Sequence, residues 1–205
     1  TSDVAVFKNN VIAHTSVIPV GGFQFTNDIV VSLGVPYEAA EEAKLKYGDA
    51  LFDNHEYKET IEILGYEGEQ PRVIRRREFC RLLHDRASEL VRLVLYKMKE
   101  AGFETMPPGG IVFTGGGSNL RGLEELAREY IPGPIRLAPP RDILGLPEEL
   151  KSPTYSTSVG ILLWGIHHPA EQQDYSNEGD NGETKAFSKG RGWLRRLAQL
   201  FKPNR

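Results

Sequence analysis

The 205-residue chain has a single cysteine, Cys80, so no disulfide can form within it, and no set of Cys and His residues surrounds it at metal-ligand spacing. That fits a reducing cytoplasm and argues against a structural zinc site. Long hydrophobic runs are missing too. The longest, residues 159–166, is interrupted by glycine and falls far short of the ~20 residues needed to span a bilayer, so no transmembrane segment is expected. The sequence opens at Thr1-Ser2-Asp3 without a start methionine, a basic n-region or an apolar signal core, and is read as a fragment or a processed chain. What is present is ordinary for a folded protein: 40% hydrophobic and 26% charged residues, with a mean hydropathy of -0.38. A fully disordered chain is excluded.

Charge of one sign is absent where it matters most. Residues 189–205 hold six basic side chains and no acidic one, which leaves -9 on the first 188 residues of a chain whose net charge is -3. Residues 169–188 carry Glu171, Asp174, Glu178, Asp180 and Glu183 against Lys185, mixed with Gln, Asn, Ser and Gly. Such a stretch buries too little apolar surface to offset its ordering entropy, and is expected to be a flexible, disordered linker. The plan is a folded body to about His168, a tether, and a basic tail. No nucleic-acid partner is expected.

Within the body, β-rich residues 3–7 and 11–18 flank Lys8-Asn9-Asn10, a hairpin signature followed by Gly21-Gly22. Thr26 is expected to precede a helix with Ile29, Val30 and Leu33 on one face and Asp28 in its first turn, closed by Gly34-Val35-Pro36. A second helix is expected over residues 36–47, closed by Gly48, and a strand over residues 57–64. Val73-Ile74 leads into the longest helix. Its stripe of Phe79, Leu82, Leu83, Leu90, Val91, Val94 and Met98 is a core face, and it stops at Gly102.

A short buried strand, Ile111-Val112-Phe113, then runs through Thr114 into Gly115-Gly116-Gly117-Ser118 and directly into a helix ending near Tyr130. Three glycines remove every Cβ and let a phosphate or ribose approach main-chain N–H groups at a helix N-terminus; a tight turn with no ligand is the plain alternative. The loop is neither a Walker A loop nor a clean dinucleotide fingerprint. His84, Asp85 and Ser88 are not spaced as a relay and are expected to be solvated helix residues. His167-His168 reads as a helix C-terminal pair. Arg72, Arg75, Arg76 and Arg77 form a basic cluster at a helix start, either solvated or holding an acidic peptide or phosphate.

Together these motifs resemble the actin-like ATPases, and among them the bacterial cell-division branch. Thr1-Ser2-Asp3-Val4-Ala5-Val6 looks like the end of the second phosphate motif, Asp-x-Gly-x-Gly-Thr followed by a hairpin. IVFTGGGSNLRGL (from Ile111) looks like the adenosine motif, and the segment from Ser152 to Leu162 is similar to the closing helix. HTSVIPVGGFQFTNDI (from His14), the spacing Glu41-x-x-Lys44-x-x-x-Gly48, and a basic tail after a linker follow in that branch's order. The resemblance implies an α/β, actin-like (ribonuclease H-like) ATPase fold and assigns this chain to its second half. A core subdomain would occupy about residues 1–33 and 91–168, and a smaller inserted one about residues 34–90.

The resemblance also implies ATP with Mg2+ as cofactor in a full-length protein. Thr1, Ser2, Glu41, Lys44, Gly115, Gly116, Gly117 and Ser118 would border the nucleotide. The first phosphate loop and the opposite half of the cleft would lie upstream, so the fragment alone is expected to be inactive and the whole protein at most a weak ATPase. Read without the family, Glu41 and Lys44 are a plain i, i+3 surface ion pair worth a few tenths of a kcal/mol. The implied partners are the tubulin-like division protein FtsZ, docked on the smaller subdomain with Arg72, Arg75, Arg76 and Arg77 contributing, and further copies of the chain in a polymer. An actin-like component of type IV pilus assembly and a sugar-kinase-like enzyme remain the alternatives.

The tail discriminates between these branches. Advancing about 100° per residue from Trp193 places Leu194, Leu197, Leu200 and Phe201 within a stripe roughly 120° wide, with Arg195, Arg196, Gln199 and Lys202 on the other side. One face is apolar and the other basic, which suits a peripheral anchor on anionic lipids at the cytoplasmic side of the cell membrane. Neither alternative needs such a tail of its own. A helix docked on the body or on a partner is the competing reading.

Overall fold

The computed structural model describes residues 1–52, 58–103, 105–141 and 143–168. The chain divides into two compact units, Thr1–Leu137 and Ala138–Arg205. Among the described residues, no helix is long and apolar enough to cross a membrane.

The first unit opens on the expected hairpin, β1 (Ser2–Lys8) and β2 (Val11–Ile18), paired antiparallel from Ser2↔Ile18 to Lys8↔Val11 with a register shift between Val6 and Phe7. Asn9 and Asn10 both have positive φ, 54° and 62°, the backbone that a two-residue type I′ connection requires and that asparagine tolerates best after glycine. Next come α1 (Gly22–Leu33) and α2 (Tyr37–Tyr47). α1 starts four residues before the expected Thr26, because the Gly21-Gly22 turn is its N-terminus: the Gly21 N–H donates to Gln24 Oε1 (2.8 Å) and the Gln24 N–H returns to the Gly21 carbonyl (3.0 Å). Thr26 is therefore inside the helix and buried. Asp28 is past the first turn, and its carboxylate is held by both arms of Arg86 on the long helix, at 2.6 and 2.8 Å. That fork raises the guanidinium pKa further above its usual value.

The strand β3 (Thr60–Ile63) pairs antiparallel with β4 (Arg72–Arg75), so Val73 and Ile74 form a strand of their own before α3 (Arg76–Glu100) begins. A parallel pair, β5 (Ile111–Phe113) and β6 (Ile135–Leu137), is joined through α4 (Leu123–Tyr130). Sequence reasoning had no signal for β6, which is three residues between a proline and an alanine. The triple glycine does not run directly into α4 either: residues Gly116–Asn119 form a 3-10 turn, and Gly122, with φ of 74°, sets the start of α4. A Cβ there would sit 2.4 Å from Asp49 Oδ1 and 2.9 Å from Leu51 Cγ, so glycine is required on both conformational and steric grounds.

The core is built on α3. Phe79, Leu83, Ala87, Leu90 and Val94 pack with Phe25 and Ile29 of α1, Ala40 and Ala43 of α2, Ile61 and Ile63 of β3, and Leu123 and Leu126 of α4. A smaller cluster joins Val91 to Ala127, Ile131 and Ile135. Of the expected stripe only Leu82 is not fully buried. Fully burying a side chain such as Phe79 contributes about 1.5–3 kcal/mol, so this one helix carries much of the first unit's stability.

α3 also carries a polar chain where solvated residues were expected. His84 donates from Nδ1 to the Ala50 carbonyl (2.7 Å), the buried Ser88 hydroxyl faces His84 Nε2 (3.4 Å), and the Tyr130 hydroxyl donates to Ser88 (3.3 Å). Only Asp85 of the three is exposed. The second unit contains two 3-10 turns, Glu148–Leu150 and Pro153–Tyr155, followed by α5 (Ser156–His167). At its end His167 and His168 donate to the carbonyls of Leu163 (2.7 Å) and Trp164 (3.0 Å), a helix C-terminal pair as expected.

Candidate functional site

The chain start, two turns and one helix face converge in the first unit. The chain start rests on the turn between β2 and α1: Ser2 Oγ donates to the Val20 carbonyl (2.8 Å), and the Thr1 carbonyl oxygen lies 2.6 Å from where a Gly21 Cβ would stand. Only glycine lets these two backbones approach so closely. On the other side is the Gly115–Gly117 loop. Ser118 is buried, and its hydroxyl and amide both donate to the Gly115 carbonyl (2.7 and 3.1 Å), which closes the turn on itself. A Cβ on Gly117 would meet Gly22 N at 3.6 Å and its Cα at 3.9 Å. The two glycine turns therefore face each other with no side chain between them.

Glu41 and Lys44 close the arrangement from α2. The Lys44 ammonium donates to Glu41 Oε2 (2.7 Å), to Thr26 Oγ1 (2.9 Å) and to the Gly22 carbonyl (3.3 Å), while the Thr26 hydroxyl hydrogen-bonds to the same Glu41 oxygen. An ammonium has three protons, and here it meets three acceptors, one of them the first residue of α1. The Lys44 side chain is only 13% exposed. A plain surface pair does not describe it, because the pair ties α2 to α1. Burial alone would raise the Glu41 carboxyl, but the hydrogen bonds from Lys44 and Thr26 and the ammonium charge outweigh it and hold the pKa below the usual carboxylate range.

Of the residues singled out from sequence, Thr1, Ser2, Glu41, Lys44 and Gly117 come together around the Gly21-Gly22 turn, with Gly115, Gly116 and Ser118 shaping the facing loop. Sequence reasoning missed Gly21, Gly22 and Thr26 as site residues. The available signals were the glycine doublet after a strand and the i, i+4 spacing of Gly22 and Thr26 on one helix face. The set offers a carboxylate, an ammonium and bare backbone, which suits a polyhydroxyl or nucleoside ligand. Among the described residues no group of three or more His, Cys, Asp or Glu side chains could hold a metal ion.

The four arginines are split by the β4–α3 boundary. Arg72 and Arg75 lie on β4, exposed and beside Glu69 (3.6 Å) and Glu78 (4.0 Å). Arg76 turns inward: it donates to Glu59 (2.7 Å) and to the Tyr47 carbonyl (3.1 Å), and its side chain is 12% exposed. Arg77 is exposed at the start of α3. The tail residues Trp193, Leu194, Arg195, Arg196, Leu197, Leu200, Phe201 and Lys202 lie outside the described residues.

The depressed Glu41 pKa sets a pH dependence. A carboxyl whose folded pKa lies below its unfolded value stabilises the fold above the unfolded value, ~4.3, and that stability is lost as pH falls through the lower folded value. Glu41→Gln is expected to lower the unfolding free energy at pH 7 by on the order of 1 kcal/mol, a modest figure because the carboxylate is partly solvated. The gap between wild type and variant should close below about pH 4. Denaturant melts across this range check it; a gap independent of pH would assign the loss to packing.

A family described as "Cell division protein FtsA" matches residues 1–160. Curated relatives include the Cell division protein FtsA of Pseudomonas aeruginosa, 37% identical over 181 residues, which covers 88% of this chain and 43% of that protein. That of Escherichia coli K12 is 30% identical over 204 residues, covering 96% and 47%. The chain thus spans less than half the length of these relatives. Among solved structures, MreB5 of Spiroplasma citri bound to ADP aligns with a TM-score of 0.55 at 19% identity, over 82% of this chain and 52% of that one, a likeness of fold. The expected actin-like α/β architecture is therefore present, and the chain belongs to the FtsA family of cell-division proteins.

Proposed function

We propose that this chain supplies the adenosine side of an ATP site in an actin-like division protein that holds the tubulin-like ring protein FtsZ at the cytoplasmic face of the membrane. The observation that carries the nucleotide part is the meeting of Gly21-Gly22, Gly117, Glu41 and Lys44, where two glycine turns present bare backbone beside a carboxylate and an ammonium. Both hydrogen bonds to Glu41 fall on Oε2, which leaves the other carboxylate oxygen to accept from ribose hydroxyls. Lys44 sits on the same turn of α2 as a fixed positive charge. The glycine turns offer N–H groups without a Cβ in the way. Mg2+ would enter with the ATP phosphates. The lobe over about residues 34–90 would dock the FtsZ peptide, with the exposed Arg72, Arg75 and Arg77 as its carboxylate contacts and Arg76 as their internal support.

Gly117→Val tests the nucleotide part. The Gly117 backbone is not left-handed and a Cβ alone meets ordinary van der Waals contact, so the fold should hold while the γ-methyls cover the bare backbone that a ligand would approach. ATP affinity of the intact protein, measured by calorimetry, is expected to fall about 10-fold or more with an unchanged melting temperature. Equal affinity would reduce the loop to a structural turn.

The anchor is proposed to be residues 189–205. Each cation near an anionic leaflet contributes up to ~1 kcal/mol, and burial of Trp193, Leu194, Leu197, Leu200 and Phe201 adds to it. Ordering about ten residues costs on the order of 10 kcal/mol, so a single tail binds modestly and a polymer of further copies attaches by avidity. Liposome co-sedimentation should rise with anionic lipid, fall with salt and disappear in Trp193→Glu. Retention by that variant would contradict the anchor.

A further inference from the structure

Two large aromatic side chains flank the Glu41–Lys44 cluster without entering the core. Phe23, next to Gly22 on α1, is 59% exposed, and Tyr37, in the first turn of α2, is 38% exposed. Their rings stack at 5.6 Å between centroids with 26° between planes. Tyr37, Glu41 and Lys44 stand at i, i+4 and i+7 on α2, one continuous face of the helix, and Lys44 reaches back to the residue that precedes Phe23. The aromatic pair is therefore the apolar continuation of the polar cluster. The two rings stack on each other, and both residues keep exposed surface.

We infer that Phe23, backed by Tyr37, is the stacking wall for the base of a nucleoside whose ribose is held at Glu41 and Lys44; this rests on the nucleotide reading above. Flat apolar surface beside a sugar-binding carboxylate is what a nucleoside presents in mirror image: a planar π-face joined to a hydroxyl-bearing ring. Stacking on a phenyl ring does not read base edges, because every base has a π-face. This wall adds affinity with little preference between adenine and guanine, so selectivity among purines rests on other groups. The competing role for the pair is a structural clip between α1 and α2.

The test uses the intact protein with ATP and GTP as probes and three variants. Phe23→Ala is expected to weaken both nucleotides by about 10-fold, in similar proportion. Phe23→Trp should retain affinity, and its added indole fluorescence should be quenched by either nucleotide, a signal that a clip alone would not produce. Tyr37→Ala should weaken binding less than Phe23→Ala, since it removes only the backing ring. Wild-type affinity in Phe23→Ala, or no change of indole emission in a Phe23→Trp protein that binds nucleotide, would overturn the stacking wall while leaving the nucleotide site standing. No nucleotide binding by the wild type would overturn both.

Discussion

The candidate site depends on where one ammonium group is placed. Lys44 is largely withdrawn from water, which is costly for a cation unless each proton finds an acceptor. The acceptors it finds belong to three positions: Glu41 one turn earlier on its own helix, Thr26 in the interior of α1, and the carbonyl of Gly22 at the start of α1. That satisfies the charge and at the same time fixes the crossing of α1 on α2. Because Gly22 faces Gly117 across ordinary contact distance, the same bond positions the turn that faces the second glycine loop. Arginine would not substitute well, since a planar fork does not match three converging acceptors.

The rest of the first unit holds that arrangement in place. α3 supplies the apolar spine, and two polar fasteners tie neighbouring segments to it: Arg86 clasps Asp28 of α1, and His84 holds the Ala50 carbonyl. Ala50 is also fastened through its own amide to the Arg121 carbonyl (2.7 Å), and the adjoining Asp49 fits against Gly122. The segment after α2 is thus pinned between α3 and the turn that leads out of the glycine loop. The carboxylate and ammonium on α2 are located by packing at both ends of their helix rather than by their own ion pair alone.

Several elements were legible in the sequence because one local rule decided each. Asn9-Asn10 between alternating strands gives a hairpin, the α3 stripe at helical spacing gives a core helix, and Gly34 and Gly48 close α1 and α2. Misreadings came where a residue served a tertiary role that mimics a local one. Thr26 and Asp28 look like a cap and a first-turn acid, yet one is bonded to Glu41 and the other to Arg86, both distant in sequence. Val73 and Ile74 look like a helix approach, but they pair with Glu62 and Ile61. His84 and Ser88 look solvated because nothing near them in sequence announces Ala50 or Tyr130 as partners. The candidate-site residues were named by resemblance to actin-like ATPases; spacing alone favoured a surface ion pair, and the bonds that tie Glu41 and Lys44 to α1 are invisible without the fold.

The central claim is that the two glycine turns and the α1–α2 polar lock form one ligand site. Amide hydrogen exchange of the intact protein, with and without saturating ATP and Mg2+, tests it most directly. The account predicts slowed exchange confined to residues 21–26 and 115–119, with the buried amides of α3 unchanged. Exchange at both turns that is indifferent to ATP, or protection appearing only elsewhere in the first unit, would contradict it.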